Sequence, residues 1–334
     1  MTDQRTDIRL GLPSKGRLES EAMSFLAEAG LSVKKPNPRQ FEATIPSMPG
    51  LTVLFQRAGD IAVSVRDGSV DFGITGWDTV SERGNGTKDV FTLHRELGFG
   101  HCTLNVIVPE IWEDTHTMGD LVARRAAYDR PLRVATKYPN LTETFLRDCG
   151  VPDTRLIRAE GTLEVAPAIG YADFIVDLVS TGTTLRDNRL RSLEDGQILS
   201  SQACLIANRQ ALKERPEVLT MARQLLEFVV AHLRAATHVS VFANIRGESP
   251  SAIAQRMFEQ SLVGGLQGPT ISSVITRQGG DWYAVHIVVS RVQLAQAIEE
   301  LRSIGGSGVV VTPVSYIFEE EPEECQALLE FVES

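Results

Sequence analysis

Cysteine is scarce in this sequence. Cys102, Cys149, Cys204 and Cys325 are the four among 334 residues, and none forms a CxxC pair or a cluster with histidine. That spacing excludes the usual zinc sites and a disulfide framework, so four reduced, mostly buried thiols are expected. Positive charge is also short: 33 Lys and Arg face 43 Asp and Glu, a formal net charge of −10. Non-specific nucleic-acid binding needs a basic surface and is not expected. A small anionic ligand stays open, because a phosphate needs only local donors. Long apolar runs are missing too. No stretch approaches the roughly 20 apolar residues that span a bilayer. The opening MTDQRTDIRL has no apolar signal-peptide core. The expectation is a cytoplasmic protein with no membrane partner. The six histidines are scattered and suggest neither a triad nor a metal set. His101 and Cys102 are adjacent, and neighbours in a strand face opposite ways, so they are not read as a base and nucleophile.

What is present is apolar patterning. Hydrophobic residues make up 43% of the chain. At roughly 100–200 residues per domain, two or three domains are expected. Ile8, Leu10 and Leu12 alternate as in a strand, and residues 13–17 form a loop containing Gly16. Leu18, Ala22, Phe25, Leu26 and Ala29 then recur at helical spacing until Gly30. Further short apolar strands are expected at 51–55, 104–108, 132–136, 174–179 and 203–207, with helices between several of them. This alternation argues for α/β layers. The segment GSVDFGI at 68–74 echoes GYADFIV at 170–176. The echo suggests two similar α/β lobes facing a cleft, though such a turn is common in any α/β protein.

Val218, Met221, Leu225, Val229 and Leu233 form a helical stripe. A different rhythm follows from about residue 237. Strands at 238–245, 270–276, 282–290 and 309–314 and helices at 250–263 and 291–304 follow in the order β-α-β-β-α-β, with a turn at 279–281. That is the ferredoxin-like order, in a unit without an obvious catalytic cluster, which favours a binding or regulatory role.

Chemistry concentrates in 177–190, DLVSTGTTLRDNRL. Ser180, Thr181, Gly182, Thr183 and Thr184 follow directly on a strand. Clustered backbone N–H groups, hydroxyls and the start of a helix are what a phosphate requires, and glycine lets the backbone approach it. Asp177 lies three residues before the loop, where a carboxylate can accept from both hydroxyls of a ribose whose 5-phosphate sits in it. A Ser/Thr-rich capping turn with no ligand is the other reading. Lys15 and Arg17 offer charge-assisted bonds to phosphate oxygens, or are two solvated charges. The turn at 71–78, with Gly76 and Asp78, lies in the other half of the cleft or is purely structural. Glu164 caps a helix or faces the cleft.

Together these residues resemble the long form of the ATP phosphoribosyltransferases. The resemblance runs nearly the whole length, through LGLPSKGRL, GSVDFGITGWD, LGFGHCTL, RVATKYPNLT, GTLEVAPAIGYADFIVDLVSTGTTLRDNRL, GLQGPT and VVVTPV. It implies a two-lobed, periplasmic-binding-protein-like α/β core, with 1–104 plus 193–235 as one lobe and 105–192 as the other. Residues 236–334 would be a ferredoxin-like regulatory domain. The implied reaction joins ATP to 5-phosphoribosyl 1-pyrophosphate, giving phosphoribosyl-ATP and pyrophosphate, the first step of histidine biosynthesis. Mg²⁺ would accompany the pyrophosphate substrate. A homo-oligomer, hexameric and exchanging with dimers, and inhibition by L-histidine are implied as well.

Carried onto this chain, 180–184 would hold the 5-phosphate, with Asp177 on the ribose and Glu164 beside it. Lys15 and Arg17 would face the phosphates, and Arg17, Gly76 and Asp78 the nucleotide. Pro269, Thr270, Ile271, Ser272 and Ala284 would mark the histidine site. The chain departs from the family pattern at Arg189, where glycine is usual, and at Thr103, where arginine is often found. The alternative from another class is a two-lobed small-molecule binding or regulatory protein without catalysis. It would need no ribose-phosphate loop.

Overall fold

The computed structural model describes residues 6–37, 39–83, 89–151, 153–159, 161–277 and 280–333. The chain divides into two units. The first comprises Met1–Ala27, Leu31–Arg223 and Leu328–Ser334; the second comprises Glu28–Gly30 and Gln224–Ala327.

The first unit holds two sheets of the same design. In one, Leu51–Gln56, Ile8–Pro13 and Phe72–Gly76 run parallel, and Ala203–Asn208 lies antiparallel beside Phe72–Gly76. The short strands Glu42–Thr44 and Val90–His94 form its edges. In the other, Arg155–Arg158, Arg133–Thr136 and Phe174–Val179 run parallel, and Cys102–Pro109 lies antiparallel beside Phe174–Val179. Leu190–Ser201 closes that edge. Each antiparallel inner strand is formed by chain that has just left the other sheet. The backbone therefore crosses twice between the lobes, after His94 and after Ser201.

Parallel strands covered by helices on both faces read as near-continuous apolar runs. The second lobe obeys this residue by residue. Val106, Val134, Phe174 and Val176 point to one face, while Ile107, Ala135 and Ile175 point to the other. Phe174 is fully buried, and truncating such a residue to alanine typically costs ~3–5 kcal/mol.

The sequence echo is a structural repeat. The Asp71 carboxylate accepts from the Arg9 amide at 2.8 Å, and Asp71 N–H returns a bond to Arg9 O at 3.0 Å. In the other lobe Asp173 accepts from the Arg133 amide at 2.7 Å and returns a bond to Arg133 O at 2.8 Å. Arg215 holds Asp71, and Arg130 and Arg133 hold Asp173. Each aspartate thus ties the third parallel strand of its lobe to the first parallel one. The carboxyl ends of Ile8–Pro13 and Phe72–Gly76 correspond to those of Arg133–Thr136 and Phe174–Val179. These are the edges at which open α/β sheets bind ligands.

The second unit has the β-α-β-β-α-β order, with one antiparallel sheet arranged Thr270–Ser273, Trp282–Ser290, His238–Arg246, Gly306–Pro313. Val239, Val241, Ala243 and Ile245 alternate toward the helical layer. Ser249 caps Pro250–Phe258, accepting from Ala252 N–H at 3.1 Å, with proline at the first helical turn. That helix stops at Phe258, short of the expected 263, ahead of Gly264 and Gly265; Val263 still reaches the core. The strand expected over 270–276 ends at Ser273, with one further bond from Val274 N–H to Trp282 O. Gly279 in the expected turn lies outside the described residues. A last helix, Glu323–Glu333, buries Cys325, Leu328 and Phe331 and was not expected from the sequence. No helix among the described residues is long and apolar enough to cross a membrane.

Candidate active site

The loop at 180–184 follows Phe174–Val179 as its spacing implies. Ser180, Thr181, Thr183 and Thr184 are exposed. Gly182 is left-handed, at φ 70°, and immediately precedes the short helix Thr183–Asp187, which no side chain caps. An L side chain rarely adopts that φ, so glycine is what lets the loop fold back and leave its first N–H groups outward. Thr181 and Thr183 hydroxyls lie 3.3 Å apart.

Asp177 sits two residues before the strand ends, opposite Asn105 on the neighbouring strand. Burial pushes its carboxyl above the usual aspartate range. Lys137 and a 2.8 Å bond from Leu178 N–H pull it back down, while Glu164 raises it again. Asp177, Lys137 and Glu164 are therefore electrostatic neighbours at one strand end. Among the described residues, no group of three or more His, Cys, Asp or Glu could hold a metal ion.

The facing lobe supplies Lys15 and Arg17. The Arg17 guanidinium donates to His101 O at 3.0 Å and reaches Ser180 Oγ at 3.5 Å, joining the first loop to the hydroxyl loop across the cleft. Lys15, Arg17, Gly76, Asp78 and Ser180 line one cavity of about 520 Å³, together with Lys137 and Tyr138. Asp177, Glu164 and residues 181–184 do not line it.

Asp78 is buried and engaged within the protein. It accepts from Tyr138 Oη at 2.8 Å, from Ser201 Oγ at 2.7 Å and from Thr79 Oγ1 at 3.2 Å. A side chain at Gly76 would put its Cβ 2.2 Å from an Asp78 oxygen, so glycine is required there by the aspartate. Burial first, then Asp78, pushes the Tyr138 hydroxyl far above the usual tyrosine range. The same two causes push the Cys102 thiol up to about 11. At neutral pH neither group is an anion, and Cys102 is no thiolate nucleophile.

Glu82, also buried, crosses the cleft as well. Its carboxylate accepts from Asn140 N–H and Leu141 N–H, each at 3.0 Å, at the start of the helix Pro139–Asp148. Lys137, Tyr138 and Glu82 were not singled out from the sequence. Lys137 stands just after Arg133–Thr136 as Lys15 stands just after Ile8–Pro13. The repeat, applied to the first strand of each lobe, is the signal that points to it.

Arg189 is left-handed, at φ 54°. The position where the resemblance expects glycine keeps the backbone glycine favours, and arginine bears the strain. Thr103 accepts from Asn105 Nδ2 at 2.7 Å beside Asp177.

In the second unit, strand register pairs Ser272 with Ala284 and Thr270 with His286, placing these four on the outer face of the sheet. Ile271 turns to the helical layer. His286 stacks on Phe242 at 4.3 Å and bonds Ser240 at 2.8 Å. A cavity of about 360 Å³ opens here, lined by Thr270, His286, Gly268 and the ion-paired Arg234 and Glu319.

Two repeated lobes, a glycine-centred hydroxyl loop with an aspartate before it and cations facing it define a class. It is a two-lobed α/β pentosyltransferase with a C-terminal ferredoxin-like domain. The chain belongs to the ATP phosphoribosyltransferase family: that family's model matches residues 57–228, and the model of the HisG C-terminal domain matches 235–316. ATP phosphoribosyltransferase 2, chloroplastic, of Arabidopsis thaliana is 43% identical, over 97% of this chain and 80% of its own. The ATP phosphoribosyltransferase of Nitrobacter winogradskyi is 34% identical, over 95% of each. Among solved structures, an ATP phosphoribosyl transferase (HisG:HisZ) complex from Thermotoga maritima has a TM-score of 0.51 at 23% identity. The likeness covers 67% of this chain and 98% of that one, and it speaks to the fold alone.

Proposed function

We propose that this enzyme condenses ATP with 5-phosphoribosyl 1-pyrophosphate, releasing pyrophosphate and forming phosphoribosyl-ATP, the first step of histidine biosynthesis. Family membership supports the reaction. The observation that carries the site is the reach of Arg17 to Ser180, which joins the cations of one lobe to the hydroxyl loop of the other.

In this reading residues 180–184 hold the 5-phosphate, and Asp177, with Glu164 beside it, accepts from the ribose hydroxyls. Lys15 and Arg17 meet the pyrophosphate. Adenine N1 attacks C1 of the ribose as the bond to pyrophosphate breaks. N1 carries no proton, so the step needs no general base, and a protonated Cys102 and Tyr138 in the cleft fit that chemistry. Positioning and electrostatics supply the acceleration. Mg²⁺ accompanying the pyrophosphate would supply charge neutralisation for the leaving group, and Asp177 and Glu164 are the oxygen donors on this chain that could meet such a hard cation. Gly76 and Asp78 act on the nucleotide side by shaping the cleft wall through Tyr138 and Ser201.

The catalytic lobes are taken as 1–104 with 193–235 and 105–192, and 236–334 as the regulatory domain. L-Histidine is taken to inhibit through the outer face near Pro269, Thr270, Ser272 and Ala284. Thr270 borders the cavity that holds the Arg234–Glu319 ion pair, whose two charges an amino acid's own carboxylate and ammonium could engage. The working form is a homo-oligomer, hexameric and exchanging with dimers. Its place is the cytoplasm, a reducing compartment that suits the four free cysteines.

Mixing the protein with ATP, phosphoribosyl pyrophosphate and Mg²⁺ tests the reaction. Stoichiometric pyrophosphate and phosphoribosyl-ATP are expected, with L-histidine slowing both. No product from folded protein would refute it.

A further inference from the structure

Beside the main cleft lies a smaller cavity of about 200 Å³, lined from both lobes. Arg83 comes from the end of the helix Trp77–Arg83, Lys137 from the turn after Arg133–Thr136, and Arg158 from the end of Arg155–Arg158. All three are exposed, and none forms an ion pair with another described residue. Glu82 is the carboxylate in the lining, and both its oxygens are taken up by Asn140 and Leu141 N–H groups. Thr136 and Asn140 add polar groups to the walls. Arg83 and Lys137 also line the main cleft, so the two spaces share a border.

Three exposed cations line one small space in a chain of net charge −10 and repel one another, and the charge of Lys137 alone is partly offset among the interactions described, by Asp177. They are suited to an anion with several charges spread along its length, since guanidinium groups bond phosphate oxygens in pairs and lysine meets them as a point charge. The cationic and polar lining, with no aromatic ring among its described residues, suits phosphates better than a base. We infer that the cavity bounded by Arg83, Lys137 and Arg158 is a polyphosphate subsite, separate from the hydroxyl loop at 180–184.

The subsite rests on the two-substrate reaction above, in which two phosphoanhydride chains must be held apart: the triphosphate of ATP and the pyrophosphate of the other substrate. Arg17 reaches Ser180 and Lys15 lines the same cavity, so these two take the pyrophosphate joined to the ribose at that loop. The triphosphate then falls to Arg83, Lys137 and Arg158.

The test compares the wild type with Arg158→Ala, Lys137→Ala and Lys137→Arg, by calorimetric binding of ATP, AMP and inorganic tripolyphosphate and by KM for each substrate. The wild type should bind ATP at least about tenfold more tightly than AMP, the size of effect one or two charge-assisted bonds give. Arg158→Ala and Lys137→Ala should collapse that ratio to below about threefold and weaken tripolyphosphate, with AMP unchanged; Lys137→Arg should restore most of it. A rise in KM for phosphoribosyl pyrophosphate with an intact ATP-to-AMP ratio would support the subsite and assign it to the pyrophosphate. Unchanged tripolyphosphate affinity and both KM values unchanged would overturn it. Because wild-type turnover is measured separately, a failure of the reaction itself reads out as no product from any protein.

Discussion

Replacing Glu82 perturbs the closure of the cleft at a single point. The first turn of Pro139–Asp148 begins with a proline, which has no N–H, and Tyr138 at its N-cap makes no side-chain cap. Among the described residues, the two free amides, Asn140 and Leu141, are satisfied only by the Glu82 carboxylate of the other lobe, while Asn140 Nδ2 donates to Glu82 O at 3.0 Å. Two bonds to a charged acceptor at ~1.5–3 kcal/mol each set an upper bound of about 3–6 kcal/mol. Water reaching the freed amides recovers much of that, since losing an N-cap ordinarily costs ~0.5–2 kcal/mol and the helix dipole adds ~0.3–1. A loss of about 2–3 kcal/mol for Glu82→Ala follows, worth a melting shift of roughly 5–10 °C in a unit of this size. Glu82→Gln keeps one acceptor oxygen and should lose about half as much. Thermal melts followed by circular dichroism measure both. An alanine variant melting within a degree of the wild type, or a glutamine variant no better than alanine, would refute the reasoning.

Arg189→Gly should stabilise the protein. Relief of a left-handed arginine is worth ~1–2 kcal/mol, less ~0.4–1 for the added freedom of the unfolded chain. A melting temperature a few degrees higher is expected, and a lower one would overturn it. Gly76→Ala forces Asp78 away from Tyr138 and Ser201, because the new methyl lies 2.2 Å from its oxygen. Turnover should fall by at least about tenfold, equivalent to ~1.4 kcal/mol on the barrier; an unchanged rate would mean the Asp78 cluster does not shape the site. Asp177 is raised by burial, so its folded form holds a proton to higher pH than its unfolded form. Its contribution to stability is then full below the unfolded value near 3.9 and declines as pH rises through the folded one. Asp177→Asn should therefore melt above the wild type at pH 7, with the difference vanishing by about pH 4, in melts across that range. A wild type equally or more stable at pH 7 would contradict it.

The parts of this fold legible in the sequence are those where local pattern and final packing agree. Phe174–Val179 and Trp282–Ser290 alternate or fill both faces as their sheets demand, and their bounds match the pattern. Asp71 and Asp173 were visible as an echo because each does the same backbone work in its lobe. Leu190–Ser201 was not legible. Its pairing shifts register between Ser192 and Gln197 and again before Leu199, so no steady period survives. The edge strands Glu42–Thr44 and Arg155–Arg158 are too short to carry a period. In the site, the hydroxyl loop announces itself by composition. Glu82, Tyr138 and Lys137 do not, because their roles arise only when the chain, having crossed from one lobe to the other, brings distant turns together.

The central claim is that residues 177–184 hold the ribose 5-phosphate of the donor. Its most direct measurement is pyrophosphate release by Asp177→Ala at saturating ATP, beside the wild type and with circular dichroism of each. Loss of two charge-assisted bonds to the ribose, ~1.5–3 kcal/mol each, predicts a fall of roughly a hundredfold or more in kcat/KM for phosphoribosyl pyrophosphate, with the fold intact. A folded variant that turns over at the wild-type rate would contradict the account.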